Sequence, residues 1–93
     1  MEVPLPYCTY VLLSKKDNQL YIGYTTHLEN RIKNHNEGRT KSTAPRRPLI
    51  IIFAEFYLNK SDAMRREKYF KTTAGKKTIK LMLLETRRDL GLI

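Results

Sequence analysis

The sequence predicts an α+β domain built on a small, mostly antiparallel three-stranded sheet flanked by helices, in the order β-β-α-β-α-α. Three observations predict it. Two segments rich in β-branched and aromatic residues, Tyr7 to Ser14 and Leu20 to Tyr24, are separated only by the polar run Lys15-Lys16-Asp17-Asn18-Gln19, the pattern of a hairpin. A helical period follows at once, with Leu28, Arg31, Ile32 and His35 at i, i+3, i+4 and i+7. A third apolar run, Leu49 to Tyr57, then precedes two amphipathic stretches that end near Gly91. The 93 residues are read as one domain, 1–93, with room for one core.

Prolines at 4 and 6 make Met1 to Pro6 an extended lead-in, because proline fixes its own φ and biases the preceding residue away from helix. In the first strand the period of two places Tyr10 on one face with Cys8 and Leu12; in the second it pairs Tyr21 with Gly23. Thr26 followed by Glu29 has the form of a capping box, so the first helix is expected from His27 to about Glu37, with Gly38 as its stop. Arg39 to Pro48 carries four cations, three hydroxyls and no acid, and is read as a loop that contributes nothing to a core.

Leu49 to Tyr57 is apolar on both faces, which predicts a central strand covered on both sides. Asn59 or Ser61 can cap the next helix, expected to run to about Thr72 with Ala63, Met64, Glu67, Phe70 and Lys71 along one side and Arg65, Arg66 and Lys68 on wetter faces. After Thr72 to Gly75 a single last helix places Ile79, Met82, Leu83 and Thr86 inward, with Lys76, Lys77, Lys80, Arg87 and Arg88 outward.

Composition narrows the function. The formal net charge is +9, which favours a polyanionic partner, since each Lys or Arg placed on a phosphate releases condensed counterions. Arg39, Lys41, Arg46, Arg47 and Lys76 are the candidate backbone contacts, because cations and hydroxyls are what bind phosphate oxygens. The longest apolar run, Leu49 to Ala54, is far shorter than the roughly 20 residues of a spanning helix, and no signal segment opens the chain, so no membrane role is expected. One cysteine, Cys8, leaves no internal disulfide, and with two scattered histidines it makes no zinc site; a cytoplasmic setting is expected.

Five positions are unusual for a simple core: Tyr10, Tyr21, Arg31, His35 and Glu67. Cleaving a phosphodiester needs a deprotonated nucleophile, neutralisation of charge on the phosphate and stabilisation of the leaving oxygen, and a Tyr or His, an Arg and a carboxylate-held metal can supply these. One carboxylate suffices for Mg²⁺, which keeps several waters and takes substrate oxygens. Tyrosine, with an ordinary pKa near 10, needs a neighbouring cation or metal to act as a base, and Arg31 and His35 are the candidates. Each residue also has a plain structural reading: strand aromatics for Tyr10 and Tyr21, a snorkelling Arg31, a His35 serving the helix dipole, a Glu67 paired with an arginine.

Cys8-Thr9-Tyr10, followed eleven residues on by Tyr21-Ile22-Gly23, then Leu28, Arg31-Ile32, His35-Asn36, Gly38, and finally Ala63 and Arg66-Glu67, resembles the GIY-YIG nuclease domain. The resemblance covers nearly the whole chain and is closest to small stand-alone bacterial proteins likened to the nuclease domain of a bacterial excinuclease. The second motif is matched fully; the first is matched only at Tyr10, with Cys8 and Thr9 where the family has glycine and an aliphatic residue. The resemblance implies a metal-dependent cut of a DNA phosphodiester, in repair or recombination. It implies that Glu67 holds a single Mg²⁺ or Mn²⁺, that Arg31 binds the scissile phosphate, that Tyr10 and Tyr21 activate or orient the attacking water, and that His35 accepts a proton from Tyr10.

The expected function is therefore a divalent-metal-dependent endonuclease acting on DNA, with RNA left open and a protein partner as one source of specificity. The alternative is a nucleic-acid-binding module that keeps the fold and charge without the chemistry. The two differ at Glu67, whose loss abolishes cutting in the first and changes nothing but stability in the second.

Overall fold

The computed structural model describes residues 5–93; the first part of the expected lead-in, including Pro4, lies outside them. The elements are β1 (Tyr7–Ser14), β2 (Leu20–Thr25), α1 (Leu28–Asn36), a 3₁₀ turn (Ala44–Arg46), β3 (Leu49–Tyr57), α2 (Lys60–Phe70), α3 (Thr73–Met82) and α4 (Leu84–Asp89). The three strands form one antiparallel sheet in the order β2-β1-β3.

β1 is the central strand, not β3. Its residues from Cys8 to Ser14 are all buried, whereas β3 is an edge with Ile51 and Phe56 exposed. An unbroken apolar run marks two-sided burial in parallel sheets covered by crossover helices. This sheet is antiparallel, and the nine-residue α1 covers only part of one face. A register shift between Val11 and Leu12, where Val11 pairs with Phe53 and Leu12 with Ile51, leaves Ile52 as an extra residue in β3. Ile52 and Phe53 consequently both reach one core.

Two cores lie on the sheet. Cys8, Tyr10, Leu12 and Leu49 pack with Tyr21, Leu28, Ile32 and Ala54 on the α1 side. Val11, Ile22, Phe70 and Ile79 pack with Leu20, Ile52, Phe53 and Leu83 on the side of α2 and α3. The expected grouping of Tyr10 with Cys8 and Leu12 is what the first core contains.

The hairpin turn is held by side chains. Ser14 Oγ accepts the backbone N–H of Lys16 and Asp17 and donates to the Arg46 carbonyl, while Asn18 takes the left-handed conformation at φ 59°. Arg46 donates to Asp17 Oδ2 at 3.3 Å and to the Leu20 carbonyl at 3.3 Å, tying the following loop to this hairpin.

Helix ends depart from expectation in three places. The Thr26–Glu29 capping box does not form: α1 has His27 at its N-cap without a side-chain cap, the Thr25 hydroxyl accepts the His27 N–H, and Thr26 Oγ1 bonds His27 Nδ1 instead. α2 begins as expected, with Asn59 Oδ1 accepting the Ser61 N–H at 2.8 Å, but ends at Phe70. It ends there because Thr72 caps α3, accepting the Gly75 N–H and donating to the Tyr69 carbonyl. Gly75 thus lies inside a helix and not in a linker, buried where a Cβ would collide with the Tyr69 carbonyl. The single last helix is two, broken at Leu83 (φ −108°, ψ 29°). Met82, expected inward, is exposed.

On α2 only Ala63 and Phe70 are buried; Met64 and Lys71 are exposed. Arg66, expected on a wet face, lies with its guanidinium 4.3 Å from the Phe70 ring centroid and donates to both oxygens of Glu55, at 2.9 and 3.4 Å. Tyr57 donates to the same carboxylate, and burial with that neighbour pushes the phenol up to about 12.

Candidate active site

Tyr10 enters the site from the middle of β1, completely buried. Its register partner on β2 is Gly23, where a Cβ would overlap the Tyr10 ring and hydroxyl. The glycine of the Tyr21-Ile22-Gly23 triplet is therefore the space in which the Tyr10 hydroxyl sits. Tyr21, opposite Leu12 in the same pairing, brings its ring 6.4 Å from that of Tyr10 and 4.9 Å from the imidazole of His35.

His35 is held at the last turn of α1. Gly38, at φ +77°, closes the helix, its N–H bonding the His35 carbonyl. The neighbouring Asn36 side chain accepts the Leu49 N–H at 2.9 Å and donates to the Leu49 carbonyl at 3.0 Å, so the end of α1 is stapled to the start of β3. Between these anchors the imidazole is completely buried, with Nε2 2.9 Å from the Tyr10 hydroxyl and Nδ1 2.8 Å from Thr43 Oγ1.

Thr43 is the residue that the sequence reading missed. The cationic loop was expected to add nothing to a core, yet Thr43 is completely buried within it. Its hydroxyl also lies 3.4 Å from the Thr40 carbonyl, and with His35 assigned the Nδ1–H tautomer its oxygen accepts from that ring N–H. That leaves His35 Nε2 with a lone pair to accept the Tyr10 proton. The three hydrogen-bonding groups form a directed chain, Tyr10 to His35 to Thr43.

The electrostatics agree with that direction. Burial, followed by the charge of Arg31, lowers the His35 pKa below the ordinary 6.5, so the imidazole is neutral at neutral pH. Burial raises the Tyr10 pKa above 10, against the lowering effect of Arg31. In the protein by itself desolvation outweighs the lowering effect of Arg31 on Tyr10, and a neutral His35 contributes no charge, so of the expected sources that could lower the phenol a metal is the one left. Tyr10 is a neutral phenol with its proton aimed at a neutral imidazole.

Arg31, four residues before His35 on α1, lies beside Tyr10 and Tyr21, whose hydroxyls raise its pKa further. Its Nε is buried and without a hydrogen-bond partner, and no carboxylate among the described residues pairs with it. Glu67 completes the group from α2. It lies one turn beyond Ala63, whose carbonyl accepts the buried Thr9 hydroxyl at 2.6 Å and fixes α2 against β1. Its carboxylate, 21% exposed, accepts from Lys71 at 3.3 Å and is close enough for its charge to raise the Tyr10 pKa. The structure thus brings all five residues into one electrostatic neighbourhood, joined by Thr43.

The outer cations are less uniform. Lys41, Arg47 and Lys76 are exposed; Arg39 is exposed and paired with Glu37 at 3.0 Å. Arg46 is half-buried in the hairpin contacts described above. At the first motif, Cys8 and Thr9 fit the strand as buried residues, with burial pushing the Cys8 thiol up to about 11.

No group of three His, Cys, Asp or Glu side chains among the described residues could form a closed metal site. The arrangement suits a hard divalent ion held by one carboxylate, waters and substrate oxygens, the way Mg²⁺ is bound at phosphate-transfer sites.

Comparison with known proteins identifies the family. A UPF0213 protein of Staphylococcus haemolyticus is 45% identical over 75 residues, covering 78% of this chain and 92% of the relative. UPF0213 protein YazA of Bacillus subtilis is 42% identical over 81 residues, covering 86% and 80%. The solution NMR structure of a UPF0213 protein from Bacillus halodurans superposes with a TM-score of 0.53 at 34% identity, covering 84% of this chain and 83% of that one. Residues 6–80 match the family described as the GIY-YIG catalytic domain, and the chain belongs to that family.

Proposed function

We propose that this protein is a divalent-metal-dependent endonuclease that hydrolyses DNA phosphodiesters, in repair or recombination, at the site formed by Tyr10, Tyr21, Arg31, His35 and Glu67. The observation that carries the reading is Arg31, a cation beside two tyrosines, with a buried Nε that has no partner and no carboxylate to neutralise it. An incoming phosphate supplies both, as guanidinium groups bind phosphate by paired, charge-assisted hydrogen bonds.

The reading assigns each side chain a task. Glu67 holds the Mg²⁺ or Mn²⁺, which when bound supplies Lewis-acid stabilisation of charge on the phosphate and leaving oxygens. Arg31 orients the scissile phosphate and neutralises charge that builds on its oxygens. Tyr10 is completely buried with its own hydrogen donated to His35, so the attacking water meets its oxygen lone pair only as substrate and metal enter beside Arg31. As that water attacks phosphorus, its proton passes to Tyr10 and the Tyr10 proton passes to His35 Nε2, so no free phenolate is needed. Tyr21 packs against the imidazole and flanks the same water. Exposed Arg39, Lys41, Arg47 and Lys76 supply salt-sensitive contacts along the backbone.

The test uses supercoiled plasmid together with branched and single-stranded oligonucleotides, with Mg²⁺, Mn²⁺ or chelator, and compares the wild type with Glu67→Ala. Metal-dependent nicking that falls at least about 100-fold in the variant, with DNA binding retained, is the expected result. Equal DNA binding by both proteins with no cutting of any substrate would replace the enzyme by a nucleic-acid-binding module of the same fold, or by an enzyme that works only with a partner.

A further inference from the structure

On the face of the sheet opposite Tyr10, a cavity of about 360 Å³ opens between the hairpin turn, β3, α3, α4 and the last residues of the chain. Its floor is the second core: Leu20, Ile52, Ile79 and Leu83. Its rim carries Lys76, Lys80 and Arg87, and no acidic side chain lines it.

Lys76, Lys80 and Arg87 pair with no carboxylate among the described residues, and unlike the other unpaired cations they converge on the rim of this cavity. Arg87 was expected to point outward with the basic face of a single helix. The break at Leu83 re-aims α4, and Arg87 instead donates to the Lys80 carbonyl at 3.3 Å, beside the cavity. Asn18, held in the left-handed conformation, and Gln19 add neutral amides on the other side.

An apolar floor under three unpaired cations and two amides matches a ligand with a flat, weakly polar body and a doubly charged head. The volume lies at the small end of small-molecule sites, roughly 300–1,000 Å³, enough for one nucleotide and not for a lipid chain with its headgroup. At that size it takes a single nucleotide unit, free or at the end of a strand. We infer that this cavity binds a nucleoside 5′-monophosphate group, the base on Leu20, Ile52 and Leu83 and the phosphate on Lys76, Lys80 and Arg87. Two sources share that chemistry, a free nucleotide and the 5′-phosphorylated end of a DNA strand. Binding here needs neither Glu67 nor a metal, and shares only Lys76 with the nuclease reading.

The experiment is an amide NMR titration of the full chain without metal, using dAMP, deoxyadenosine, inorganic phosphate, and a DNA hairpin with either a 5′-phosphate or a 5′-hydroxyl. The inference expects shifts at Asn18, Lys80, Leu83 and Leu92 with dAMP, with the phosphorylated hairpin, or with both, the responding probe identifying the source. Deoxyadenosine and inorganic phosphate bind at least about tenfold more weakly, each lacking half of the ligand. Lys80→Gln weakens the phosphorylated probe about tenfold, and adding Arg87→Gln removes its binding, while Glu67→Ala leaves it unchanged. Both glutamine variants alter exposed or rim positions, and an unchanged spectrum around Tyr10 and His35 shows that they fold. Absence of shifts with both phosphorylated probes overturns the inference, as does equal binding of inorganic phosphate, equal binding of the 5′-hydroxyl hairpin, or indifference to the double substitution.

Discussion

Gly23 and Tyr10 face each other across the β1–β2 ladder so closely that a methyl group on the first would occupy the place of the second's hydroxyl. The glycine therefore sets where the proposed proton relay begins. Gly23→Ala must displace the Tyr10 ring from His35 or open the hairpin. The expected cost is about 1–3 kcal/mol of stability from overpacking, with a fall in cleavage rate of about 100-fold from the misplaced hydroxyl. Urea unfolding and single-turnover cleavage measure the two separately. Alanine that leaves both unchanged would mean that Tyr10 has another position open to it.

In the assigned Nδ1–H tautomer of His35, Thr43 is the acceptor that gives the proposed relay its direction. Thr43→Val keeps the shape and removes the acceptor, leaving a buried ring N–H unpaired and the tautomer unfixed. Cleavage is expected to fall about 10-fold to 100-fold, part of the 10²–10⁴-fold that positioned acid–base groups contribute. Thr43→Ser restores the hydroxyl and with it most of the activity. A merely structural role predicts a different pattern, in which serine, which leaves a methyl-sized cavity, is no better than valine.

Titration of His35 and Tyr10 predicts the pH response. The folded His35 pKa is lowered from 6.5 by burial and by Arg31. Below pH 6.5 the unfolded chain takes up a proton here before the folded one does, so this group's contribution is complete above that value and is lost as pH falls through the window beneath it. Tyr10 works at the other limit: its folded pKa is raised above 10, so the unfolded chain loses its proton first and stability declines as pH rises past 10. The proposed mechanism requires neutral His35, so cleavage should rise with pH to a plateau by neutrality. Denaturation midpoints of the wild type and His35→Gln, followed from about pH 5 upward, should converge at the acid end; parallel curves would show that His35 is not the group responsible.

What the sequence made legible was local. The hairpin, the period that puts Arg31 and His35 on one helical face, and the Asn59 cap each depend on residues within a few positions of one another. The failures are longer-ranged or competitive. Thr43 is an ordinary loop hydroxyl until α1 folds back over it, and nothing in Arg39 to Pro48 distinguishes it from Thr40 or Ser42. Thr26 could cap α1, but the Thr25 hydroxyl takes the His27 N–H and the helix starts one residue later. The apolar run of β3 implied a centre strand, because composition does not say which faces a short helix leaves uncovered.

Gly75 shows how such a competition is decided. It reads as a breaker, and Thr72 before it as the end of a helix; instead the pair starts α3, with Thr72 as the cap and Gly75 where α3 crosses the last turn of α2. Backbone meets backbone there, so the neighbour cannot yield as a side chain would. Gly75→Ala gains helix propensity of up to about 1 kcal/mol but must pry α3 from the Tyr69 carbonyl, and the net expectation is destabilisation of about 2 kcal/mol. Thermal denaturation reads the sign directly. A stabilised variant would show that α3 can slide without loss.

Lys71 makes a prediction of the opposite sense. Its ammonium lies 3.3 Å from Glu67 Oε2, the carboxylate assigned to the metal, in an exposed i, i+4 pair. Such pairs contribute only about 0.3–0.5 kcal/mol, so Lys71→Ala should hardly alter stability. The same small energy must be given up whenever a divalent ion takes the carboxylate. Removing the lysine should therefore lower the metal concentration for half-maximal cleavage about twofold. If Lys71 also touched the DNA backbone, its loss would raise the substrate concentration required and steepen nothing in the metal titration, so the two roles separate when metal and DNA are varied independently. A higher metal requirement in Lys71→Ala would mean that the lysine aims the Glu67 carboxylate at the ion, and the competition between them would have to be abandoned.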